Sequence, residues 1–201
     1  VKKNKFAIIV EGYFDVIAFN KLGYNNVASP SGTALTIQQL NQISKYTDDI
    51  YLCFDNDEAG IKATKRVVEI KNNISKDINL YCILLPEKFK DISEYYESGE
   101  QDINNIISEK RDLIEFCIDN LIIEQGESNK KKVFIAFKEF SNYLSPLEKD
   151  LSIEYLGKKL GINKETLNSE LSFKDELVTT THYKEESEKT NKHIETFKDI
   201  F

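Results

Sequence analysis

The sequence has no methionine and no tryptophan, and it contains only three prolines and three cysteines among 201 residues. It also has no apolar run near the roughly 20 residues that a membrane-spanning helix needs, which argues against a membrane protein. No secretory signal is recognisable at the start. With a hydrophobic content of 40% and a charged content of 30%, we expect a soluble, cytoplasmic protein. Because methionine is missing, we also expect the chain to be a piece of a longer protein.

Cysteine and histidine are too few and too scattered to predict a zinc site. Cys53, Cys82 and Cys117 lie in apolar stretches without metal-ligand spacing, so we expect them to be small buried side chains in a reducing compartment. His182 and His193 are expected to be exposed and without partners. The net charge of −7 argues against a surface covered in phosphate contacts, although a local basic patch is compatible with it.

The most informative stretch is IYLCFDNDEAG, residues 50–60. An apolar run from Ile50 to Phe54 ends abruptly at Asp55 and Asp57, and a helix-length segment follows. This pattern predicts a buried strand that carries two carboxylates at its C-terminal end, the edge where open α/β sheets bind ligands. The alternative is an Asx turn that only caps the next helix.

Two carboxylates this close together favour a bound cation. They repel each other at neutral pH unless a positive charge lies between them. Oxygen ligands without a nearby histidine or cysteine favour Mg²⁺ or Mn²⁺ over zinc. The sequence therefore predicts a divalent-metal site, provided that the turn does more than cap a helix.

The beginning of the chain repeats the same arrangement. The apolar run Phe6–Val10 predicts a strand buried on both faces, and Glu11 follows it as Asp55 follows the later strand. Helical spacing begins at Tyr13 and reaches about Leu22. We expect its core face to consist of Phe14, Ile17, Ala18 and Leu22.

Two further strands complete the predicted sheet. Residues 26–29 form a short one and lead into the loop SPSGTALT, residues 29–36, which is weak evidence for a phosphate cradle and sufficient evidence for a turn. Thr33 or Thr36 is expected to cap the next helix. Leu80–Leu85 is the fourth apolar run, and Asp91 follows near its end. Helix three is predicted over residues 58–74, with a solvated basic face.

The strand–helix alternation stops near residue 100. From Asp102 the pattern is helical throughout, and from Ser172 apolar residues are sparse. We therefore predict an α/β fold, a parallel sheet of about four strands with flanking helices, followed by an all-α part. The expected division is an α/β subdomain over 1–99, a helical subdomain over 100–171, and a polar linker or the start of a further module over 172–201.

The motifs VEGYFDVIAF, ASPSGTALT and CFDNDEAG, in this order and spacing, resemble the Toprim domain of bacterial DnaG-type replicative primases. The helical stretch from Lys130 to Ile162 is similar to the subdomain that follows Toprim in those proteins. The resemblance covers roughly residues 5–171. It implies a Rossmann-like Toprim fold.

The resemblance also implies roles for particular residues. The catalytic, metal-binding positions of the family fall on Glu11, Asp55 and Asp57. An Asp-Pro-Asp motif of the family falls on residues 91–93, so Asp91 is an expected metal ligand, whereas Ser93 replaces the second aspartate and puts a further metal site in doubt. Glu94 can take the place of this second aspartate only if its helix directs the Glu94 side chain towards the metal site. Residues expected to support the site are Gly12, Asp15 and Gly60.

The activity implied by the resemblance is Mg²⁺- or Mn²⁺-dependent synthesis of short RNA primers during DNA replication. The implied partners are a single-stranded DNA template, ribonucleoside triphosphates and, through a C-terminal domain not present here, the replicative helicase. The chain alone is expected to prime weakly or not at all. Two alternatives stay open: a Toprim nuclease or topoisomerase fragment, and a catalytically silent Toprim module that binds metal or nucleotide. A receiver-like regulatory domain fits poorly, because of the Glu11 motif and the helical half.

Overall fold

In the computed structural model, residues 5–100 and 102–172 are described. Within them the elements, in chain order, are β1 (Phe6–Val10), α1 (Tyr13–Lys21), β2 (Val27–Ala28), α2 (Ile37–Ser44), β3 (Asp49–Cys53), α3 (Glu58–Lys71), β4 (Asn79–Cys82), α4 (Ile92–Glu97), α5 (Ile103–Ser108), β5 (Arg111–Asp112), α6 (Leu113–Gln125), α7 (Lys130–Ser141) and α8 (Pro146–Leu160). The α/β class is confirmed. The predicted polar segment after Ser172 lies outside the described residues, as do the two histidines.

The described residues form a five-stranded sheet with the order β2-β1-β3-β4-β5. β1 pairs in parallel with β2 and β3, and β3 pairs in parallel with β4. In this register Val10 lies opposite Cys53, the last residues of β1 and β3. The residues that follow these strands therefore meet at one edge, as the motif argument requires.

The prediction of helix throughout from Asp102 was wrong at one point. Arg111 and Asp112 form β5, which pairs antiparallel with β4. Two residues are too few to show the alternation by which a strand is recognised in a sequence. The pairing partner decides the conformation here, because the edge of β4 offers unpaired backbone groups.

The prediction for the core face of α1 was also partly wrong. Ala18 is buried, but Phe14 is 79% exposed and Ile17 is 52% exposed. The helix instead buries Asp15 and Phe19 together with Ala18. Contacts of α1 with β2 and α4 decide which side is covered, and a polar Asp15 on that side could not be inferred from apolar spacing.

The chain divides into two compact units between Ser152 and Ile153. The first contains the whole sheet. The expected subdomain boundary near residue 100 stays a prediction. In the second unit, a Cβ on Gly157 would lie 2.6 Å from the carbonyl oxygen of Ile162, so glycine permits the chain to fold back closely after α8.

The core of the first unit packs on both faces of the sheet, since successive residues of β1 and β3 are buried, and the predicted burial of the cysteines is confirmed. Phe6 of β1 stacks on Tyr51 of β3 at 4.4 Å between ring centroids. Cys53, Cys82 and Cys117 are buried and free. Burial raises the pKa of Cys117 to about 12, so this thiol stays protonated at neutral pH and is a poor nucleophile. In the described part of the chain no helix is long and apolar enough to cross a membrane.

Candidate metal centre

Glu11 links the ends of the two central strands. Its backbone carbonyl accepts a 2.6 Å hydrogen bond from the Ser29 hydroxyl. Its carboxylate oxygen Oε1 accepts a 3.1 Å hydrogen bond from the backbone N–H of Asp55. Burial, the largest cause, raises the pKa of Glu11, the Asp55 N–H opposes this, and the negative charges of Asp55, Asp57 and Asp15 add to the rise. The position is thus negative enough to favour either a proton or a cation.

Gly60 allows the turn after β3 to close over Asp55. A Cβ at position 60 would lie 2.1 Å from the carbonyl oxygen of Asp55, and 2.9 Å from both its carbonyl carbon and its nitrogen. These are backbone atoms that cannot rotate away, so only glycine fits. The expected supporting role of Gly60 has a steric basis here.

Asp57 and Asp91 both cap helices. Asp57 Oδ1 accepts hydrogen bonds of 2.9 Å from the backbone N–H groups of Ala59 and Gly60 at the start of α3. Asp91 Oδ1 accepts a 2.9 Å bond from the N–H of Glu94 at the start of α4. The alternative of an Asx-type cap is therefore correct for part of each side chain. A carboxylate has a second oxygen, so capping does not preclude binding a cation.

Lys90 lies over the two aspartates that follow β3. Its ammonium nitrogen Nζ is 3.2 Å from Asp55 Oδ2 and 3.9 Å from Asp57 Oδ2. The hydrogen bond to Asp55 and the charges around it raise the pKa of Lys90. Nothing in the spacing of the motifs pointed to this residue. The sequence feature that could have indicated Lys90 is its position directly before Asp91, a predicted carboxylate ligand.

Asp15 holds the turn at the start of α1. Asp15 Oδ2 accepts a 2.9 Å hydrogen bond from the N–H of Gly12, which closes the turn at the start of α1. Asp15 Oδ1 accepts a 3.0 Å bond from the hydroxyl of Ser93 on α4. Burial is the main reason why the pKa of Asp15 is raised. Ser93 thus ties α4 to α1 by a hydrogen bond.

Asn56 was missed by the sequence analysis, and it positions the loop that carries Lys90 and Asp91. Its side-chain amide donates to the carbonyls of Leu85 at 3.2 Å and Phe89 at 2.9 Å. Its backbone N–H donates to the carbonyl of Lys90 at 2.7 Å. A single residue between the two aspartates therefore fastens the loop after β4 to the turn after β3.

A cavity of about 950 Å³ opens beside this edge. Of the predicted site residues, Glu11, Gly12, Asp15, Asp55 and Asp91 line it, whereas Asp57 and Gly60 do not. The exposed apolar side chains Phe14 and Ile17, the cationic Arg66 and the loop of residues 30–35 also line it. Glu94 lies elsewhere: its carboxylate accepts a hydrogen bond from the backbone N–H of Lys90, so it does not replace the missing aspartate.

The residues present fit a hard divalent cation that shares its coordination with a substrate. Among the described residues no three His, Cys, Asp or Glu side chains converge closely enough to hold an ion unaided. Mg²⁺ is often bound by only one or two carboxylates together with substrate phosphates and water. The Lys90 ammonium lies 3.2 Å from Asp55 Oδ2 and 3.9 Å from Asp57 Oδ2, so both carboxylates lie near the same positive charge.

The raised pKa of Glu11 leads to a pH-dependent prediction. A carboxyl group whose pKa is higher in the folded state than in the unfolded state binds a proton more readily when the protein is folded. Its ionisation therefore lowers the free energy of unfolding as the pH rises from the unfolded-state pKa through the folded-state pKa. Glu11→Gln should therefore raise the thermal midpoint of the metal-free protein at pH 7.5. The difference from wild type should shrink as the pH falls towards 4.5, the ordinary value.

Thermal unfolding of both proteins in chelator, between pH 4.5 and 7.5, tests this. Glu69→Gln, a change at an exposed position on α3, is the matched control and should leave the midpoint unchanged throughout. A Glu11→Gln midpoint below wild type at pH 7.5 would show that the charged form of Glu11 stabilises the fold.

Known proteins are similar to this chain in sequence and in fold. Residues 8–96 match a family model described as Toprim-like. The chain is 31% identical to a DNA primase of Campylobacter jejuni over 197 residues, 94% of this chain and 32% of that protein. It is 29% identical to a DNA primase of Aquifex aeolicus over 189 residues, 88% of this chain and 36% of that protein. The chain thus spans about a third of the length of these curated relatives.

Solved structures of primases are also similar to this chain in fold. The Aquifex aeolicus primase structure with zinc-binding and RNA polymerase domains has a TM-score of 0.60 at 30% identity, covering 83% of this chain and 40% of that one. The Escherichia coli primase catalytic core has a TM-score of 0.64 at 21% identity, covering 79% and 52%, a likeness of fold. Fold and site together define a Toprim-type α/β protein. More particularly, the chain corresponds to a part of the bacterial DnaG-type DNA primases, as the resemblance predicted.

Proposed function

We propose that this chain provides the metal-binding part of a primase catalytic core, which synthesises short RNA primers on single-stranded DNA during replication. The observation that carries the proposal is the contact between the Glu11 carboxylate and the Asp55 backbone at 3.1 Å, which joins two strand ends into one acidic edge. The similarity to DNA primases over most of the chain supports the reaction type.

In the proposed reaction a 3′-hydroxyl attacks the α-phosphate of a ribonucleoside triphosphate and pyrophosphate leaves. When bound, Mg²⁺ or Mn²⁺ would neutralise charge on the phosphate oxygens and orient them. Asp55 and Asp57 would hold this cation on the β3 side, and Glu11 would complete the site from β1. Asp91, which lines the same cavity, is the proposed ligand from the β4 side.

Glu11 has two compatible roles, metal ligand or general base. Its raised pKa suits a group that accepts a proton from the attacking hydroxyl, since proton transfer is most efficient when the pKa lies nearer the working pH. The position of the Glu11 carboxylate beside the Asp55 backbone suits a metal ligand. Gly12 and Asp15 keep the turn that presents Glu11, and Gly60 keeps the turn that presents Asp55.

Single-stranded DNA and ribonucleoside triphosphates are the proposed partners. A DnaG primase catalytic domain solved with single-stranded DNA has the same fold, with a TM-score of 0.62 at 20% identity. The proposed division is a metal-binding subdomain over 1–99 and a helical subdomain over 100–171, with residues 172–201 leading onward. Contact with the replicative helicase, outside this chain, remains a prediction from the resemblance.

One observation favours a second candidate, a Toprim module that binds metal or nucleotide without catalysis. Ser93 takes the place where the resemblance leads us to expect a carboxylate, and its hydroxyl is already bonded to Asp15. A module with fewer metal-binding oxygens would still bind one cation.

Product analysis of the full-length protein tests the proposal. With single-stranded template, ribonucleoside triphosphates and Mg²⁺ or Mn²⁺, we expect short RNA products that do not form in chelator. Supercoiled plasmid in the same buffer should stay intact. Nicked plasmid without RNA synthesis would instead indicate a Toprim nuclease or topoisomerase, and neither product would indicate the silent module.

A further inference from the structure

Lys90 is the one positively charged side chain that the described residues place between both predicted metal-binding aspartates of the β3 turn. Its Nζ lies 3.2 Å from Asp55 and 3.9 Å from Asp57. Two carboxylates this close favour a shared cation. The ammonium therefore stands where a divalent ion would draw on the same oxygens.

The backbone of Lys90 is held on both sides, so its direction is built into the fold. Its carbonyl accepts a 2.7 Å hydrogen bond from the N–H of Asn56. Its own N–H donates to Glu94 at 2.8 Å. Asn56 lies between Asp55 and Asp57 in the chain, so the residue that anchors the lysine also belongs to the turn that the lysine neutralises.

The side chain itself is able to leave. It is 54% exposed, whereas the Asp55 side chain is 19% exposed. Ion pairs between exposed side chains contribute little to stability, because water screens them. A doubly charged ion that binds phosphate oxygens as well can displace such an ammonium, whereas a singly charged ion gains little by doing so.

Lys88, two residues earlier, provides a comparison. It forms its ion pair with Glu100 and lies over the ring of Phe89, away from the acidic edge. Two exposed lysines in one loop thus have different partners, and only Lys90 faces the aspartates.

We propose that Lys90 is a tethered competitor of the divalent cation for Asp55 and Asp57. It neutralises the edge in the metal-free protein, and its ammonium is displaced when metal binds. The protein therefore binds the metal ion more weakly than the carboxylates alone would. This inference rests on the proposed metal site.

The test is Mn²⁺ affinity of the purified chain, measured by titration calorimetry and by electron paramagnetic resonance of free Mn²⁺. Lys90→Met keeps the length and removes the charge. It should bind Mn²⁺ about five- to tenfold more tightly, since up to two exposed ion pairs no longer compete. Lys90→Arg and Lys88→Met, which keep the competing charge, should stay close to wild type.

A thermal melt separates competition from a structural role. In chelator, Lys90→Met should unfold at a lower temperature than wild type because the aspartates lose their counter-ion. At saturating Mn²⁺ this difference should vanish. A deficit that persists unchanged at saturating Mn²⁺, or an unchanged or weaker Mn²⁺ affinity, overturns the inference.

Asp55→Asn distinguishes failure of this inference from failure of the proposed function. One outcome is that wild type binds Mn²⁺, Asp55→Asn does not, and Lys90→Met has the same Mn²⁺ affinity as wild type. The metal site is then confirmed and the proposed competition is wrong. If only Lys90→Met binds Mn²⁺, the competition is confirmed in its strongest form. If no variant binds Mn²⁺, with or without nucleoside triphosphate, both proposals fail.

Discussion

Replacing Asp55 with asparagine should reduce primer synthesis by the full-length protein on the order of a thousandfold. The substitution keeps the size of the side chain and the backbone N–H that donates to Glu11. It removes one of the two charges beside Lys90, and with it the strongest attraction for a divalent cation. A bound metal contributes several kcal/mol to such a reaction, and about 1.4 kcal/mol corresponds to tenfold in rate.

The direct measurement is ribonucleotide incorporation, with a thermal melt of the chain in Mn²⁺ beside it. A ligand that binds only the native state at a hundred times its dissociation constant adds about 2.7 kcal/mol, so the wild-type midpoint should rise with Mn²⁺ and that of Asp55→Asn should not. Asp48→Asn, at an exposed position paired with Lys76, is the control. Primer synthesis undiminished in Asp55→Asn would remove Asp55 from the catalytic site.

Gly60→Ala should destabilise the fold by about 3 kcal/mol or more, the upper range for overpacking a close-packed site. The added carbon would lie 2.1 Å from the carbonyl oxygen of Asp55. Relief requires the turn between β3 and α3 to open, and this also breaks the hydrogen bond from the Gly60 N–H to Asp57. Stability and metal response are therefore expected to fall together, although alanine is the better helix former.

Urea or thermal unfolding measures the first effect and the Mn²⁺-dependent shift measures the second. Gly99→Ala is the matched control, because Gly99 has a φ of +81° but nothing within 4 Å of its added carbon. It should cost only the left-handed strain, roughly 1 to 2 kcal/mol, and keep the metal response. If Gly60→Ala were no more harmful than Gly99→Ala, the close approach to Asp55 would not be a constraint on the turn.

The local pattern alone predicted the central strands and the residues that follow them. Phe6–Val10 is β1 as predicted, and the apolar run ending before Asp55 is β3, shifted by one residue. Long apolar runs identify buried parallel strands, because both faces are covered. Thr36, one of the two threonines expected to cap the next helix, caps α2. The chain order of these motifs also carried the resemblance that the comparisons confirm.

Only the tertiary structure decided which groups meet. The exposure of Phe14, the two-residue β5 and the placement of Lys90 over Asp55 depend on contacts between segments far apart in the chain. Sequence periodicity describes one element at a time, so it carries no information on which neighbour covers a helix face or pairs with a strand edge. The sequence by itself determined that carboxylates stand at the ends of parallel strands. The packing of the loops decided that a lysine, held by Asn56, lies between two of them.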